Sequence, residues 1–288
     1  MLDGKACGAE VEEEVGDMVS SLKERGINPH LAVVIVGDDP ASHVYVGAKE
    51  KACIRVGIKS TRIDIPADSN FEQVAEVVRE LNCDESVHGI LVQSPLPPGM
   101  DELAITDMID PSKDVDGFHP VNLGRLVQGR VDGLVPCTPA GVIRLLEWGG
   151  VDLAGKSAVV IGRSRIVGIP ASLLLARKGV DATVTIAHSR TSEIAHLCRS
   201  ADILIAAVGQ PELVQLDWVK PGAAVIDVGV NRVDDEESTR GYRLAGDVNS
   251  EVSEVAGWLS PVPGGVGPMT IAMLMLNTVT AASNQVEN

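Results

Sequence analysis

Three side chains near the start of the chain are of types that could act together on a bound ligand. Ser42, Tyr45 and Lys49 are spaced three and four residues apart, so they share one face of a helix predicted over residues 41–57. That helix would begin close to the carboxyl end of a strand, where ligands bind in open parallel sheets. The same spacing fits an amphipathic surface helix whose lysine stem lies along apolar surface with its ammonium in water.

Polar groups at two predicted turns could face a ligand as well. Gln93 closes an apolar run and precedes a proline-rich loop, so it either faces the crevice or bonds local backbone. Asp114 and Asp116 are two residues apart and share a side of an extended segment. Carboxylates there could bind calcium, cap a turn or accept paired N–H donors from a heterocycle. The EF-hand pattern fails after Gly117, which disfavours calcium.

A glycine-bearing loop between a strand and a helix indicates a dinucleotide. The usual fingerprint has glycine where the chain leaves the strand, where the pyrophosphate meets backbone and where helix meets sheet. Only Gly162 fits that template, because Ser164 and Val167 occupy the second and third places and Gly168 follows one residue late. We therefore expect a dinucleotide bound in a variant way.

The residues after the next strand favour NADP over NAD. An NAD site usually has an acidic residue at the end of this strand, which binds the ribose 2′-hydroxyl. Here residues 183–187 are followed by His188, Ser189 and Arg190, and these last two, with Arg163 in the first loop, suit a 2′-phosphate. The alternative is that the arginines only offset an acidic surface.

The segment from Pro261 to Thr270 has too much glycine and proline for a regular element and too little polarity for a linker. Its glycines permit close backbone approach to a ligand. The segment could also be an interdomain hinge, and the two interpretations are compatible.

Composition excludes several classes of partner. The 288 residues carry a formal net charge of −16, which argues against nucleic acid or an anionic membrane surface. Five cysteines are scattered singly, which fits reduced thiols in a cytoplasmic protein, and no His/Cys spacing predicts a metal site. The N-terminus has no apolar signal core and no run approaches membrane-spanning length, so the mature protein is expected to begin near Met1.

Apolar runs alternate with helical patterns, which predicts an α/β fold of mostly parallel sheets with helices on their faces. We expect two domains with a cleft between them: an N-terminal α/β catalytic domain, residues 1–136 plus 269–288, and a Rossmann-like NAD(P)-binding domain, residues 137–268. The segment 114–136 shows no strong periodicity and is predicted to contain the first crossing. The predicted strands are 31–37, 60–65, 89–93, 157–161, 183–187, 203–208 and 224–228, the later helices are 138–148, 171–178 and 269–282, and the acidic run 234–237 is expected to be a solvated loop.

Six motifs occur in order from about Leu2 to the last helix. They are Tyr45-x-x-x-Lys49-x-Lys51, Gly89-Ile-Leu-Val-Gln93-x-Pro-Leu-Pro97, Lys113-Asp-Val-Asp-Gly-Phe-His-Pro120, Pro136-Cys-Thr-Pro139, Gly162-Arg-Ser-x-x-Val-Gly168 and Pro261 to Thr270. Together they resemble the bifunctional methylenetetrahydrofolate dehydrogenase/cyclohydrolases, the FolD family. One departure is Ser94, where the family commonly has leucine.

The resemblance implies NADP-linked oxidation of 5,10-methylenetetrahydrofolate to the methenyl form and hydrolysis of that form to 10-formyltetrahydrofolate, in a homodimer. By this resemblance Lys49, with a pKa lowered by partial burial, is the acid/base, Gln93 orients it and Asp116 binds the pterin edge. Tyr45 would stack on the aminobenzoate ring, and Ser42 joins it among the substrate-binding residues. The implied cofactor residues are Thr138, Gly162, Arg163, Ser164, Gly168, Ser189 and Arg190, while Pro263, Gly264 and Gly265 would line the cleft.

Two other functions remain open at this point. A dehydrogenase with little or no cyclohydrolase activity would differ in the second reaction alone, and the presence of Lys49 and Gln93 argues against it. A nucleotide-binding redox sensor would bind NADP without turnover, and the complete folate-side set argues against that.

Overall fold

The computed structural model describes residues 1–130, 132–235, 238 and 241–287. Of the acidic run predicted as a solvated loop, residues 236 and 237 lie outside the described part. The chain forms two compact units, named here by their parallel sheets. The three-stranded unit is Ala9–Cys137 with the residues from Ile271 onward, and the five-stranded unit is Met1–Gly8 with Thr138–Thr270.

The three-stranded unit has strand order β2-β1-β3, with both pairings parallel. Its central strand β1 is buried along its whole length, which explains why it is a continuous apolar run without alternation. Val74, Val78 and Ile105 are among the helical residues that pack against the sheet to form the core. The strands are β1 (His30–Val36), β2 (Lys59–Ile65) and β3 (Gly89–Val92), and the helices are α1 (Gly4–Glu24), α2 (Pro40–Val56), α3 (Phe71–Cys83), α4 (Glu102–Asp107) and α5 (Pro120–Val127).

The five-stranded unit has strand order β10-β7-β6-β4-β5, again parallel throughout. Numbered in chain order within this sheet and read from β5, the strand order is 2-1-3-4-5, which is a doubly wound arrangement. The strands are β4 (Ser157–Ile161), β5 (Thr183–Ala187), β6 (Ile203–Ala206), β7 (Ala224–Asp227) and β10 (Trp258–Leu259), beside an antiparallel hairpin of β8 (Asn231–Asp234) and β9 (Tyr242–Ala245). The helices are α6 (Cys137–Trp148), α7 (Gly168–Ala176) and α8 (Ile194–Ser200), and α9 (Val266–Glu287) follows.

The predicted α/β class with parallel sheets is confirmed, and all seven predicted strands are present within two residues of their expected ends. Three strands within the described part of the chain were not predicted. Strand β10 has only two residues, and the hairpin strands β8 and β9 have four each, too short for a periodic pattern to be distinguished from a turn.

The segment 114–136, in which the sequence showed no strong periodicity, includes a helix that was not predicted. It contains α5, which begins at Pro120 with the side chain of His119 accepting a hydrogen bond from the Val121 N–H. Proline at the first helical position was the available signal, because its ring presets the helical φ and its missing N–H is not needed there.

The first eight residues pack with the five-stranded unit. The Leu2 N–H donates to the Leu259 carbonyl at 2.9 Å, and the Leu2 side chain is fully buried. This contact joins residues 257 positions apart, which no local pattern could anticipate.

Helix α9 corrects the statement that no run approaches membrane-spanning length. Val266–Gln285 is long and apolar enough to cross a membrane, and 61 % of its most apolar window is buried inside the protein. Core helices of water-soluble proteins meet the same criterion, because a helix buried on most sides is apolar around most of its circumference.

Candidate functional site

Lys49 and Gln93 meet at the point where the three-stranded sheet reverses its strand order. Helix α2 follows β1, and Gln93 follows the neighbouring strand β3 with its N–H still donating to the Val34 carbonyl at 2.8 Å. The Lys49 Nζ donates to the Gln93 Oε1 at 2.9 Å. In open α/β sheets ligands bind at such a switch point, outside the carboxyl ends of the strands.

Burial distinguishes Lys49 from a surface lysine. Only 8 % of the residue is exposed, which excludes the surface-helix alternative with the ammonium in water. Burial lowers the pKa of Lys49, and the charge of Asp116 and the thiol of Cys137 oppose that shift. A lysine with a lowered pKa is available as a neutral base nearer to neutral pH than an exposed one.

The Asp116 carboxylate is the charged partner of Lys49. Part of the residue remains accessible to solvent, yet enough protein surrounds the carboxylate that desolvation raises its pKa, while the Lys49 charge lowers it. Asp114 raises the pKa of Asp116 further. A carboxyl group in this setting can accept hydrogen bonds from a polar heterocycle when it is ionised and donate one to it when it is protonated.

Asp114, two residues earlier, has a different function. It is fully buried, and its carboxylate accepts hydrogen bonds from the His119 N–H at 2.8 Å and the Asn122 Nδ2 at 2.9 Å. Of the alternatives weighed for the two aspartates, capping a turn is the one this geometry supports for Asp114. The neighbouring Lys113 is also buried, and its Nζ donates to the carbonyls of residues 81, 82 and 84 at the C-terminal end of helix α3.

Ser42 and Tyr45 lie on α2 with Lys49, but their surroundings differ. Ser42 is buried, and its N–H and Oγ both donate to the Asp39 carboxylate at 2.8 Å, so its hydroxyl helps to start the helix. Tyr45 is 47 % exposed and leaves an aromatic face open to a ligand. The geometry therefore supports Tyr45 as a ligand contact more directly than Ser42.

Two positions of the variant loop after β4 require glycine because neighbouring backbone lies too close for a Cβ atom. Gly162 has a φ of 125°, and a Cβ there would overlap the Ala207 carbonyl. Gly168 is the first residue of α7, and a Cβ there would overlap the Gly162 carbonyl. Gly168 therefore performs the helix-to-strand packing that the usual third glycine performs, one residue later.

The Ser164 hydroxyl accepts hydrogen bonds from backbone N–H groups at the start of the helix that follows the loop. Its Oγ accepts hydrogen bonds from the Val167 N–H at 3.2 Å and the Gly168 N–H at 3.3 Å. The loop follows β4, and the neighbouring strand β6 lies on the side where the strand order reverses. The loop thus opens at the switch point of this sheet, where a dinucleotide pyrophosphate binds in doubly wound folds.

The parallel sheet places the predicted 2′-phosphate residues on adjacent strand ends. Ile161 at the end of β4 pairs with Ala187 at the end of β5, so Arg163 and Ser189 each lie two residues beyond the same edge. Arg163, Ser189 and Arg190 are exposed. The Arg190 N–H donates to the His188 ring at 3.1 Å, which shapes the turn.

The remaining predicted residues lie near the ends of α6 and α9. Thr138 is half-buried, with its Oγ1 2.9 Å from the Oγ1 of Thr270. Pro263 is exposed and Gly264 half-buried, whereas Gly265 is buried and its N–H donates to the Pro261 carbonyl at 2.8 Å. Gly265 thus closes a turn of its own loop.

Comparison with known proteins matches two family models to the chain. Residues 2–116 match the catalytic domain of tetrahydrofolate dehydrogenase/cyclohydrolase, and residues 136–286 match its NAD(P)-binding domain. The chain belongs to the tetrahydrofolate dehydrogenase/cyclohydrolase family. The expected family is confirmed, as is the pairing of a catalytic with an NAD(P)-binding domain.

Relatives within this family are similar along the whole chain. The bifunctional protein FolD of Moorella thermoacetica is 55 % identical over 283 residues, covering 98 % of each chain. The crystal structure of the bifunctional enzyme FolD from Campylobacter jejuni superposes with a TM-score of 0.93 at 46 % identity and covers 98 % of each chain. The Trypanosoma brucei FolD, determined with NADP and an inhibitor, has a TM-score of 0.93 at 42 % identity over 99 % of this chain and 98 % of its own.

Sequence reasoning missed two buried carboxylates in the NAD(P)-binding domain of this family member. Asp247 is fully buried and accepts hydrogen bonds from the N–H groups of Val208, Gly209 and Gln210 at 2.7–3.0 Å. Asp227 accepts from the Asp247 N–H at 2.8 Å, and burial raises the pKa of Asp227 to about 6. The pair shapes the loop after β6 at the switch point, and the signal was an aspartate ending the apolar run 224–227.

Proposed function

We propose that this protein oxidises 5,10-methylenetetrahydrofolate to 5,10-methenyltetrahydrofolate with NADP⁺ and hydrolyses the product to 10-formyltetrahydrofolate. The observation that carries the proposal is the buried Lys49. Its Nζ donates a hydrogen bond to Gln93, and it interacts with the charge of Asp116. Hydride transfer alone does not require a buried amine. Hydrolysis does require a group that takes and returns a proton.

The hydrolytic step follows from these side chains. The oxygen of a water molecule bonds to the bridging methenyl carbon while the neutral Lys49 amine takes one of its protons. The bond from that carbon to N5 then breaks, and N5 takes the proton back from the Lys49 ammonium. The remaining hydroxyl proton leaves to solvent as the formyl C=O forms. One water is consumed and one proton is released for each formyl group.

Gln93 and Asp116 prepare Lys49 for this cycle. The Gln93 Nε2 donates to the Ser94 carbonyl at 2.6 Å, which turns its Oε1 toward Lys49 as an acceptor. Asp116 keeps the protonated lysine from becoming too unstable in its buried position. The same carboxylate is the proposed partner of the pterin N–H groups, and the exposed ring of Tyr45 is the proposed stacking surface for the aminobenzoate.

For the dehydrogenase step, NADP⁺ would supply, when bound, the acceptor for a hydride from the one-carbon bridge. The task of the protein is then alignment of the two reacting carbons. We assign that task on the nucleotide side to Thr138, the loop of Gly162, Ser164 and Gly168, and the charged edge of Arg163, Ser189 and Arg190. The preference for NADP over NAD rests on that edge, because guanidinium groups pair with a phosphate and a carboxylate there would repel it. Pro263, Gly264 and Gly265 are the remaining proposed substrate contacts.

A cytoplasmic homodimer is the proposed working form. All five cysteines are free, and four of them are buried, which fits a reducing compartment. The dimer is proposed from the family resemblance alone. Light scattering of the purified protein at assay concentration tests the dimer, and a monomer mass there would remove it from the proposal.

Two assays with purified protein test the function. The first follows methenyltetrahydrofolate formation from 5,10-methylenetetrahydrofolate with NADP⁺, and the second follows loss of added methenyltetrahydrofolate beyond its uncatalysed rate. Activity in both supports the proposal. Activity in the first alone identifies a dehydrogenase without cyclohydrolase function, and activity in neither rejects the folate proposal altogether.

A further inference from the structure

Asn277 lies on helix α9, yet its amide joins two loops of the three-stranded unit. The Nδ2 group donates to the Val115 carbonyl and to the Val135 carbonyl, each at 2.8 Å. Only 7 % of the residue is exposed. An amide has two N–H donors, so these two carbonyls account for both, and the Cys137 sulfur at 3.4 Å is a weaker third neighbour.

The two carbonyls belong to the segments that border the proposed folate residues. Val115 immediately precedes Asp116, and Val135 lies two residues before Cys137, where helix α6 begins. The segments are in direct contact, because a Cβ at Gly117 would collide with the backbone of Val135 and Pro136. The Cys137 thiol adds a hydrogen bond to the Val115 carbonyl at 3.2 Å.

The turn that contains Asp116 is therefore held by hydrogen bonds on two sides. On one side the Ile90 N–H, in strand β3, donates to the Lys113 carbonyl at 2.8 Å. On the other side the attachment is the Asn277 amide, through Val115. Without that amide the buried carbonyl of Val115 and the part-buried carbonyl of Val135 would each lose an N–H donor. A carbonyl that loses such a donor recovers one by moving toward water or another donor.

We propose that Asn277 is a positioning residue of the folate site, which ties the Asp116 turn to the start of α6 and so sets the Asp116 carboxylate against Lys49. This inference rests on the functions proposed above for Lys49 and Asp116. Asn277 is not assigned any contact with the substrate. Its effect passes through the backbone of Val115.

The charges around Lys49 predict how the cyclohydrolase pH profile changes when Asn277 is replaced. The ionisable groups that act on the Lys49 ammonium are Asp116 and Cys137, and Asp114 acts in turn on Asp116. Asp116 opposes the effect of burial on Lys49. If the Asp116 turn relaxes away, burial acts unopposed and the pKa of Lys49 falls further. The limb of the cyclohydrolase pH profile that reports Lys49 then moves to lower pH.

The test compares Asn277→Leu, which removes both donors at similar volume, with Asn277→Ser, which retains one. The matched control is Thr278→Val, because Thr278 is fully buried on the same helix and its hydroxyl bonds only the Leu274 carbonyl of that helix among the described residues. For each protein we measure cyclohydrolase kcat and KM from pH 6 to 9, the NADP dissociation constant and the thermal midpoint.

We expect Asn277→Leu to lower kcat by roughly tenfold to a hundredfold, the cost of a displacement of about 1 Å in a catalytic constellation. The cyclohydrolase pH profile of Asn277→Leu shifts to lower pH, whereas its NADP affinity is unchanged. In Asn277→Ser both the loss of kcat and the displacement of the pH profile are smaller. If Asn277→Leu does not yield folded protein, Asn277→Ser alone decides the test. Its cyclohydrolase pH profile must then be displaced to lower pH relative to that of the wild type.

The inference is overturned if the Asn277 variants keep the wild-type profile and lose no more activity than Thr278→Val at an equal loss of thermal midpoint. Failure of the underlying function is a separate result. It would show as a wild-type protein without cyclohydrolase activity, or as a Lys49→Ala variant that keeps it.

Discussion

The Nζ of Lys49 donates to the Oε1 of Gln93 at 2.9 Å, and the amide nitrogen of Gln93 donates to the Ser94 carbonyl at 2.6 Å. The second hydrogen bond determines the first, because it leaves only the amide oxygen facing the lysine. Gln93 is thus a neutral acceptor for a buried amine. A neutral acceptor orients the lysine without adding the negative charge that would favour its protonated form.

Replacing Gln93 by glutamate tests this neutrality. Gln93→Glu places a carboxylate within hydrogen-bond distance of Lys49 and raises the pKa of the lysine toward its ordinary value. We expect the cyclohydrolase rate at pH 7.5 to fall at least about tenfold, with the active limb of the profile displaced to higher pH. The measurement is kcat against pH, with Gln128→Glu, an exposed position in the same unit, as control. A profile that stays in place would show that Lys49 does not titrate in this step.

Removing the lysine tests the acid/base assignment. Lys49→Ala should lower the cyclohydrolase rate by about 10²–10⁴-fold, the usual contribution of a positioned proton-transfer group. NADP affinity should be unchanged, because the proposed cofactor residues belong to the five-stranded unit. Titration of NADP binding and the hydrolysis assay separate the two effects. Lys59→Ala, an exposed lysine of the same unit, is the control, and wild-type hydrolysis in Lys49→Ala would remove the lysine from the mechanism.

Reversing the charge at the end of β5 tests cofactor selection. Ser189→Asp introduces the carboxylate that binds a ribose 2′-hydroxyl in NAD sites and that repels a 2′-phosphate. We expect the ratio of kcat/KM for NADP to that for NAD to fall by at least about tenfold, since like charges brought together cost several kcal/mol. Ser192→Asp, an exposed serine of the same loop, is the control. An unchanged ratio would move the phosphate site away from this strand end.

Two buried histidines should make stability depend on pH. His30 and His88 are buried, and desolvation lowers the pKa of each, with the charges of His30 and Lys113 lowering that of His88 further. Each is therefore neutral in the folded protein where it would be protonated in the unfolded chain. The stability they contribute is present above the unfolded pKa of about 6.5 and is lost as the pH falls through the lower folded value.

The variant His88→Leu isolates this effect. The Nδ1 of His88 is buried without a hydrogen-bond partner among the described residues, so leucine removes an unsatisfied polar atom together with the titrating group. Urea midpoints at pH 7.5, 6.5 and 5.5 should decline less steeply in His88→Leu than in the wild type. His196→Gln, which removes an exposed imidazole, is the control. Parallel declines in wild type and His88→Leu would mean that His88 titrates with the same pKa in the folded and unfolded states.

The sequence by itself determined the elements and most of the chemistry-bearing positions. Buried parallel strands such as β1 and β4 are continuous apolar runs, and that pattern is local, so their bounds were predicted within one residue. The order of motifs determined the family. The identity of Lys49, Gln93 and Asp116 as a set came from that order, because their spacing alone left a surface helix and a local turn as alternatives.

Only the tertiary structure decided what these residues touch. The contact of Lys49 with Gln93 spans 44 positions, and that of Asn277 with Val115 spans 162. It also separated Asp114, which caps a turn, from Asp116, which faces the lysine, although the two are equivalent in the sequence pattern. Periodicity and turn chemistry act over a few residues, whereas burial and hydrogen bonding at the switch point depend on which strands become neighbours. The fold therefore determines the pKa of Lys49, whereas the sequence determines only that a lysine stands at this position.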